Sequence, residues 1–273
     1  MAANSECSIE RFFLEKGRLF LRVLNSMWNR AGREAESIAK LLEKLGLGKH
    51  IRILDLGCGN GRISIQLALR GYRVTGIDIS PIFIEEAKAK AEEYGVSGRT
   101  EFIVGDARRI DELFGEESFD AALMYWTTIL GYYLDPEVDV EIMKKLYRVV
   151  KSQGYLLILN HASLDLVSLR AGLLGAPSYF TEIDESLVVV ERPEFIPEKA
   201  VVRTRWIFYE RDGRDLRYVS EACYELRLYS LHELVELAER AGWKYRESYR
   251  DLESLQPYRP GLSGINAVFQ KLL

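Results

Sequence analysis

The chain has 273 residues, of which 48% are hydrophobic and 29% are charged, so it can bury the core of one large domain or of one domain with an insertion. Its formal net charge of −4 and pI near 5.7 argue against a dedicated polyanion-binding protein, because such proteins concentrate Lys and Arg on one face. No apolar run approaches the roughly 18–20 residues of a membrane span, and residues 1–13 lack the apolar core of a signal peptide. We therefore expect a soluble, cytoplasmic protein with neither a nucleic-acid nor a membrane partner.

The three cysteines bear on metal binding and on compartment. Cys7, Cys58 and Cys223 lie far apart, are odd in number and form no C-x-x-C pair. This pattern predicts neither a metal site nor a disulfide framework, and it fits a reducing cytoplasm.

Helical and strand patterns alternate over the first 160 residues. Apolar residues recur at helical spacing over 8–25 and again over 38–45, which predicts two helices before a first strand that begins at residue 51. After that strand we predict helices over 61–70, 81–94 and 136–150, and strands over 72–77, 100–104, 119–124 and 155–159, with a short irregular turn before the strand at 119. This alternation indicates an α/β fold with a mostly parallel sheet and helices on both faces.

The pattern changes after residue 162. The stretches LVVVE, AVVRTRWIFYE and RYVSEACYELRLY alternate in polarity, and Asp212-Gly213 between the last two is a turn signal, so 163–228 is predicted to be rich in antiparallel hairpins. Ser230 and Glu233 form a capping box for a helix over 231–241 that ends at Gly242, and two further strands follow near 243–250 and 264–271. The predicted parts are amino-terminal helices or a lid (1–50), a central domain (51–161 plus 230–273) and a β-rich cap (162–229).

A glycine-rich turn follows the first strand. In ILDLGCGNGR (53–62), Gly57, Gly59 and Gly61 come just after Asp55. Ligands of open parallel sheets collect at the carboxyl ends of the strands, where glycines let the backbone approach a nucleotide. The G-x-G-x-G spacing differs from the dinucleotide-binding G-x-G-x-x-G, and a carboxylate beside it is unfavourable for a pyrophosphate. The alternative is an ordinary strand-to-helix turn.

Two more carboxylates follow the next two strands. Asp78 closes VTGIDIS and Asp106 follows EFIVG, which places three Asp side chains at one sheet edge and predicts an elongated pocket for a nucleoside that carries positive charge. Asp78 is suited to accept hydrogen bonds from two ribose hydroxyls. The alternatives are that Asp78 caps the next helix and that Asp106 is a solvated turn residue.

The stretches DLGCGNGR, VTGIDIS, FIVGDA, SFDAALM and LYRVVKSQGYLLIL resemble successive motifs of the class I S-adenosylmethionine-dependent methyltransferases, over about residues 33–160. The resemblance implies a seven-stranded Rossmann-like sheet whose last strand is antiparallel. It also implies S-adenosylmethionine as cofactor, with the glycines beside its methionine moiety, Asp78 at the ribose, and Asp106 and Ala107 at the adenine. The full expected cofactor set is Asp55, Gly57, Cys58, Gly59, Gly61, Asp78, Ile79, Asp106, Ala107 and Met124.

The stretches TTILGYYLDPE and LRLYSLHELVELAERAGW are similar to those of small-molecule methyltransferases with a β-rich cap inserted after the fifth strand. Lys151-Ser152-Gln153-Gly154 departs from the Lys-Pro-Gly-Gly usual in the family, so the turn before the fifth strand is expected to differ in shape. Residues 124–128 are expected to form the wall between cofactor and acceptor.

Candidates for a general base or for positioning the acceptor are Tyr125, Tyr132, Tyr133 and His161. Each has a structural alternative, namely core packing for the tyrosines and a structural hydrogen bond for His161. We also hypothesise that Arg30 or Arg33 meets the cofactor carboxylate, the alternative being exposed helix charge.

The function implied is transfer of a methyl group to a nitrogen, oxygen or carbon of a small molecule by direct in-line displacement. Residues 124–128 lack an Asn/Asp-Pro-Pro-Tyr stretch, and no acidic cluster follows the fourth strand, which disfavours a nucleobase or glutamine acceptor and a magnesium-dependent reaction. Two alternatives stay open. One is an RNA or protein methyltransferase that uses the arginines of VVRTRW and RDGRDLR, and the other is a non-catalytic S-adenosylmethionine-binding module. The acceptor and the oligomeric state are not predicted.

Overall fold

The computed structural model describes residues 7–127, 129–175 and 177–272, apart from the side chain of Glu10. Three helices precede the first strand: α1 (Ile9–Glu15), α2 (Gly17–Ser26) and α3 (Trp28–Lys44). The sequence predicted two, because apolar periodicity defines a buried helix face but not the points where the helix axis turns, here at Lys16 and Met27.

The central domain follows the predicted alternation closely. Its elements are β1 (Arg52–Leu56), α4 (Arg62–Leu69), β2 (Arg73–Asp78), α5 (Pro81–Glu93), β3 (Thr100–Val104), α6 (Ile110–Leu113), β4 (Phe119–Tyr125), α7 (Pro136–Val149) and β5 (Val150–His161). The stretch predicted as an irregular turn before β4 contains the short helix α6.

After β5 the chain forms α8 (Leu164–Leu174) and then four strands, β6 (Tyr179–Glu182), β7 (Leu187–Ile196), β8 (Val201–Asp212) and β9 (Asp215–Arg227). It returns to the central domain with α9 (Leu231–Arg240), β10 (Lys244–Tyr249) and β11 (Ile265–Gln270). The predicted capping box of α9 is confirmed, since the Ser230 side chain accepts from the Glu233 N–H and Glu233 accepts from the Ser230 N–H.

The strands form two sheets. The seven-stranded sheet has the order β10-β11-β5-β4-β1-β2-β3, and the four-stranded sheet has the order β6-β7-β8-β9. Strands β1 to β5 pair in parallel, whereas β11 is antiparallel to β5 and the four cap strands are antiparallel throughout. The predicted Rossmann-like sheet, antiparallel last strand and β cap after the fifth strand are confirmed.

Helices cover both faces of the large sheet because successive strand residues point to opposite sides. Leu54 and Leu156 pack with α7 and α9, whereas Ile53 and Leu157 pack with α3 and α4. All four leucine and isoleucine side chains are at most 1% exposed. The strands whose carboxyl ends form the site, β1 to β4, are therefore packed against helices on both faces of the sheet.

Helix α8 lies within the segment that was predicted to be rich in hairpins, and the sequence analysis did not anticipate it. Its sequence LDLVSLRAGLL has no polar face, and none of its described side chains is buried. Such a helix lacks the amphipathic periodicity by which the other helices are recognised.

The prediction that the cysteines form no disulfide was also wrong, because Cys7 and Cys223 are bonded across 216 residues of sequence. Linear spacing does not report a pair that the fold brings together from the amino terminus and β9. Cys58 is free and buried. The cysteine pattern therefore no longer supports a reducing compartment.

One apolar cluster joins the amino-terminal helices to the cap. It contains Phe12 of α1, Phe20 of α2 and Phe83 of α5 together with Trp206 and Phe208 of β8. The division into 1–50, 51–161 plus 230–273, and 162–229 stays a prediction. In the described residues, no helix has both the length and the apolarity to cross a membrane.

Candidate active site

A cavity of about 720 Å³ lies at the carboxyl ends of β1 to β4. The glycine turn and the strand ends form its floor, α1 to α3 form one wall, and the cap sheet closes it from the other side. Of the expected cofactor residues, Asp55, Gly57, Cys58, Gly59, Asp78, Ile79, Asp106 and Ala107 line it.

The glycine turn has a conformation that few other residues adopt. Gly57, Gly59 and Gly61 have φ values of 75°, 56° and 75°, in the left-handed region. The N–H groups of Gly57 and Cys58 both donate to the Ile77 carbonyl, at 2.8 and 2.9 Å, which ties the turn to β2. Gly61 does not line the cavity. A Cβ there would lie 2.9 Å from Phe102 Cζ, so this glycine allows α4 to begin against β3.

Asp78 joins the end of β2 to the glycine turn. Its Oδ2 accepts the Gly59 N–H at 3.0 Å, and its Oδ1 accepts the Ser80 N–H at 2.9 Å. Ser80, and not Asp78, occupies the N-cap position of α5, although its side chain makes no capping hydrogen bond. Burial raises the pKa of Asp78 to about 6. Both carboxylate oxygens accept backbone N–H groups, and a carboxylate with about four lone-pair sites has capacity for a further donor from the cavity.

The other two strand-end carboxylates are bound by the protein itself. Asp55 is 2% exposed and accepts the Ser64 hydroxyl, and burial raises its pKa to about 6. Asp106 accepts the Arg108 N–H at 2.9 Å and also binds the Arg108 guanidinium through both oxygens. Asp106 thus shapes the turn after β3, and the buried Ala107 next to it lines the cavity.

The loop after β4 has a strained backbone at the middle of the cavity. Trp126, Thr127 and Ile129 have φ values of 66°, 52° and 69°, although none is glycine. The Tyr132 hydroxyl donates to the Thr127 carbonyl at 2.8 Å, and the Ala162 N–H donates to Thr127 Oγ1, also at 2.8 Å. Strained residues of this kind persist only where surrounding contacts hold them, and they concentrate at functional sites. Thr128 lies outside the described residues.

Comparison with known proteins identifies the central part of the chain. Its residues 53–154 match the family model described as a methyltransferase domain. Residues 53–154 form a methyltransferase domain. The chain is 29% identical to the putative methyltransferase YqeM of Bacillus subtilis (strain 168) over 207 residues, which cover 76% of this chain and 78% of that protein.

Solved structures share the fold of the methyltransferase domain and of the cap. An S-adenosylmethionine-dependent methyltransferase from Clostridium acetobutylicum matches with a TM-score of 0.72 and 15% identity, over 88% of this chain and 91% of that one. The sugar N-methyltransferase KedS8 from Streptoalloteichus sp. matches with a TM-score of 0.64 and 19% identity, over 88% and 87% of the two chains. The chain has the class I methyltransferase fold. S-adenosylmethionine is the cofactor named in the description of the Clostridium structure, and the cavity of this chain can be compared with what that cofactor requires.

The cavity floor of the methyltransferase domain fits that cofactor in three respects. The glycine turn presents bare backbone, and a Cβ at Gly59 would lie 3.2 Å from Leu24 Cδ1. Asp78 offers carboxylate oxygens suited to ribose hydroxyls. Asp55, Asp78 and Asp106 all line the cavity; Asp106 is paired with Arg108, so the negative charge that favours a sulfonium ligand comes from Asp55 and Asp78. These residues, with Ile79 and Ala107, would hold the cofactor.

The three candidate tyrosines, Tyr125, Tyr132 and Tyr133, all line the cavity, but Tyr125 and Tyr132 are not suited to act as a base. Burial, together with the charge of Glu34, raises the pKa of Tyr125, and burial raises the pKa of Tyr132. Both phenols are therefore protonated at neutral pH, and the Tyr132 hydroxyl already donates to Thr127. Tyr125 and Tyr132 line the cavity, where they can orient an acceptor and exclude water.

His161 and Met124 lie apart from the cavity lining. The His161 side chain is 2% exposed, its Nε2 has no hydrogen-bond partner in the described part of the chain, and burial lowers its pKa to about 4. Because β5 continues through His161 and pairs it with Ile265, the ring belongs to the interior of the sheet. This geometry does not support His161 as the base. Met124 is 2% exposed and packs in the core beneath the site.

Arg30 and Arg33 both line the cavity, but their surroundings differ. Arg30 forms an ion pair with Glu34 at 3.1 Å and lies over the Trp126 ring. Arg33 is exposed and has no ion-pair partner in the described residues. Of the two, Arg33 has its charge available for a ligand carboxylate.

Sequence reasoning missed most of the aromatic lining. Phe12, Phe13 and Phe20 of the amino-terminal helices, Trp206 and Tyr224 of the cap, and the carboxylate of Glu191 all face the cavity. The sequence does contain a pattern that marks these residues as facing the interior. Phe12, Phe13 and Phe20 recur at helical spacing, and Trp206 belongs to a strand of alternating polarity. However, the same patterns are typical of ordinary core residues.

Proposed function

We propose that this protein transfers the methyl group of S-adenosylmethionine to a small organic acceptor by direct in-line displacement. The observation that carries this proposal is one continuous cavity that joins the cofactor floor to a chamber under the cap lined by aromatic residues. The amino-terminal helices (1–50) and the cap (162–229) would be the lid parts, and the central domain (51–161 plus 230–273) would hold the cofactor.

The chain's contribution is to align the acceptor and exclude water. S-adenosylmethionine supplies a methyl group on a sulfonium, which departs as a neutral thioether. The end of β4 and the strained loop after it place Tyr125, Trp126 and Thr127 in the cavity lining. Good alignment of two reactants contributes about 7–11 kcal/mol to rate acceleration, and apolar rings around the acceptor strengthen the electrostatic contacts within.

Proton transfer has a small part in this proposal. Both tyrosines are protonated at neutral pH, and His161 is outside the cavity lining. An acceptor with a free lone pair, such as a neutral amine, needs orientation alone. The fold is shared with an enzyme described as a sugar N-methyltransferase, and a small amine is consistent with that likeness.

The arrangement of arginines weighs against an RNA or protein acceptor. Arg203 is paired with Glu225 and Glu194, and Arg205 is paired with Glu221, on the face of the cap that points away from the cavity. Arg211 and Arg217 are likewise paired with glutamates. This face has alternating charges rather than the basic surface that phosphate binding requires.

Two measurements test the proposal. Calorimetry with S-adenosylhomocysteine and with NADH should show binding of the first alone. Incubation with S-adenosylmethionine labelled in its methyl group and with a small-metabolite extract should give a labelled low-molecular-weight product. Binding without any labelled product would favour the non-catalytic module, and label in RNA or protein fractions would favour the other alternative.

A further inference from the structure

Among the described residues, the inner face of the cap sheet presents a single charged side chain to the cavity. In β7, side chains alternate between the two faces, so Leu187, Val189 and Glu191 share one. Leu187 and Val189 are fully buried in the apolar cluster around Phe12 and Phe20. Glu191 continues the same face by one step, is half-buried, and lines the cavity.

The position of Glu191 places a carboxylate against aromatic rings. Trp206 lies directly opposite Glu191 in the register of β7 and β8, and Tyr224 follows on β9 on the same inner face. Phe12 contacts both rings edge-on, with centroid distances of 5.4 Å to Trp206 and 5.1 Å to Tyr224. Rings beside a carboxylate form a surface that attracts cations, because the ring faces have a negative electrostatic potential and the carboxylate has a negative charge.

Glu191 has no ion pair and no hydrogen bond to any residue that the structure describes. Burial of a charged carboxylate without a partner costs free energy. Burial accordingly raises the pKa of Glu191 above its ordinary value. The basic residues of the cavity lining lie elsewhere, on α3 and α4: Arg30, Arg33 and Arg62. Two of them, Arg30 and Arg62, are already paired with Glu34.

The other carboxylates of the lining differ from Glu191 in this respect. Asp55, Asp78 and Asp106 each accept a hydrogen bond from the protein, and all three lie at strand ends on the cofactor floor. Among the described cap residues that line the cavity, Glu191 alone carries a charge; the others are Ala162, Val167, Thr181, Ile183, Val202, Trp206, Tyr224, Leu226 and Leu228. The chamber therefore offers an apolar surface with one negative point.

We propose that Glu191, with the rings of Trp206 and Tyr224, binds a protonated amine of the methyl acceptor as an anchoring group, so that the acceptor class is an apolar molecule carrying a basic nitrogen. An ammonium has no lone pair, so the methyl group goes to a different atom of that molecule. This rests on the function proposed above. An ammonium supplies the positive charge and the N–H donors that Glu191 lacks. The same carboxylate repels anionic acceptors, which gives the chamber selectivity by charge.

The test uses two pairs of probes of similar shape, benzylammonium with benzyl alcohol and cyclohexylammonium with cyclohexanol. Binding of each is measured by calorimetry to the full chain saturated with S-adenosylhomocysteine. We expect the cation of at least one pair to bind about tenfold more tightly than its alcohol, and Glu191→Gln to remove that preference. Glu191→Gln keeps the side-chain shape and should leave S-adenosylhomocysteine affinity unchanged, which shows that the variant is folded.

Glu194→Gln is the matched control. Glu194 lies on the same strand but is exposed and faces Arg203 outside the cavity, so its loss should leave both pairs unaffected. Equal binding of cation and alcohol in both pairs by the wild type, or a cation preference that survives in Glu191→Gln, would overturn the proposal. Failure of the proposed function has a different signature, since S-adenosylhomocysteine would then fail to bind or no label would be transferred, whatever the probes do.

Discussion

At the scale of single residues, buried and half-buried carboxylates have three different roles in this protein. Asp78 binds the glycine turn and faces the cofactor floor. Asp139 lies in the interior, where its Oδ2 accepts the Gly131 N–H at 2.9 Å and the Tyr229 hydroxyl at 2.6 Å, and so anchors the loop after β4 to the start of α9. Glu191 faces the chamber without a protein partner. The sequence singled out only Asp78, because its position after a strand belongs to a recognisable motif.

Replacement of Asp78 tests its proposed role at the ribose. We expect Asp78→Ala to weaken S-adenosylhomocysteine binding by about 1.5–3 kcal/mol, the usual range for hydrogen bonds to a charged group, as measured by calorimetry. Asp78→Asn keeps one carbonyl oxygen and should lose less. Wild-type affinity in Asp78→Ala would contradict the placement of the cofactor.

The contribution of Asp139 to the free energy of unfolding depends on pH. Burial raises the pKa of Asp139 to about 6, so the folded state binds the proton more tightly than the unfolded chain does. Protonation therefore favours folding, and the contribution of Asp139 is greatest near pH 4 and is lost as pH rises through 6. Its size is about 2–3 kcal/mol.

The comparison with Asp139→Asn isolates this effect, because the raised pKa values of Asp55 and Asp78 are common to both proteins. Urea unfolding at pH 4 and at pH 7 should show that wild type loses about 2–3 kcal/mol relative to the variant over this range. A difference between the two proteins that stays constant with pH would show that Asp139 titrates normally.

At the scale of elements, the turn between β1 and α4 was predictable and the elements of the lid were not. The bounds of α4, α5, β2 and β3 agree with the sequence within one or two residues, because glycine and proline signals and apolar runs define them locally. Helix α8 and the breaks between α1, α2 and α3 were missed. Helix α8 lacks an amphipathic pattern, and the breaks between the first three helices depend on the course of the chain over the site, so neither has a local signal.

Gly61 tests the argument about the start of α4. An alanine there would have to adopt a φ of 75° and would place its Cβ 2.9 Å from Phe102 Cζ and 3.0 Å from Ala87 Cβ. We expect Gly61→Ala to lower the free energy of unfolding by about 2–4 kcal/mol, from left-handed strain and overpacking together. Chemical denaturation measures the change.

Gly48→Ala is the control, because Gly48 is exposed and its added Cβ would have no neighbour within 4 Å. That change should stay within about 0.5 kcal/mol of wild type. Similar costs at the two positions would contradict the steric argument.

At the scale of the whole molecule, the amino-terminal helices and the cap are joined across the cavity by more than apolar packing. Arg22 of α2 binds both carboxylate oxygens of Asp184 in the turn between β6 and β7, at 2.7 and 2.6 Å. The disulfide between Cys7 and Cys223 lies next to Tyr224 of the chamber. The walls of the acceptor chamber are therefore fastened to each other as well as to the central domain.

The disulfide closes a long loop, so its loss should release chain entropy in the unfolded state. We expect Cys223→Ser to lower the free energy of unfolding by about 2–5 kcal/mol, with a matching fall in Tm. Cys7→Ser should give the same change, and the double variant should be no less stable than either single variant, because all three lack one and the same cross-link. An additive loss in the double variant would show that the cysteines act separately.

Apart from the antiparallel last strand, which the family resemblance implied, the sequence by itself determined the α/β order, the mostly parallel sheet, the glycine turn and the floor carboxylates. These features depend on short-range patterns, namely apolar periodicity and turn residues at strand ends. Such patterns can be recognised without knowledge of the tertiary structure. Which residues line the proposed acceptor chamber is determined by the tertiary structure alone. Phe12, Glu191, Trp206 and Tyr224 come from segments up to about 210 residues apart, and their side chains meet because the cap sheet folds back over the amino-terminal helices. No local pattern distinguishes a residue that lines such a cavity from one that fills a core.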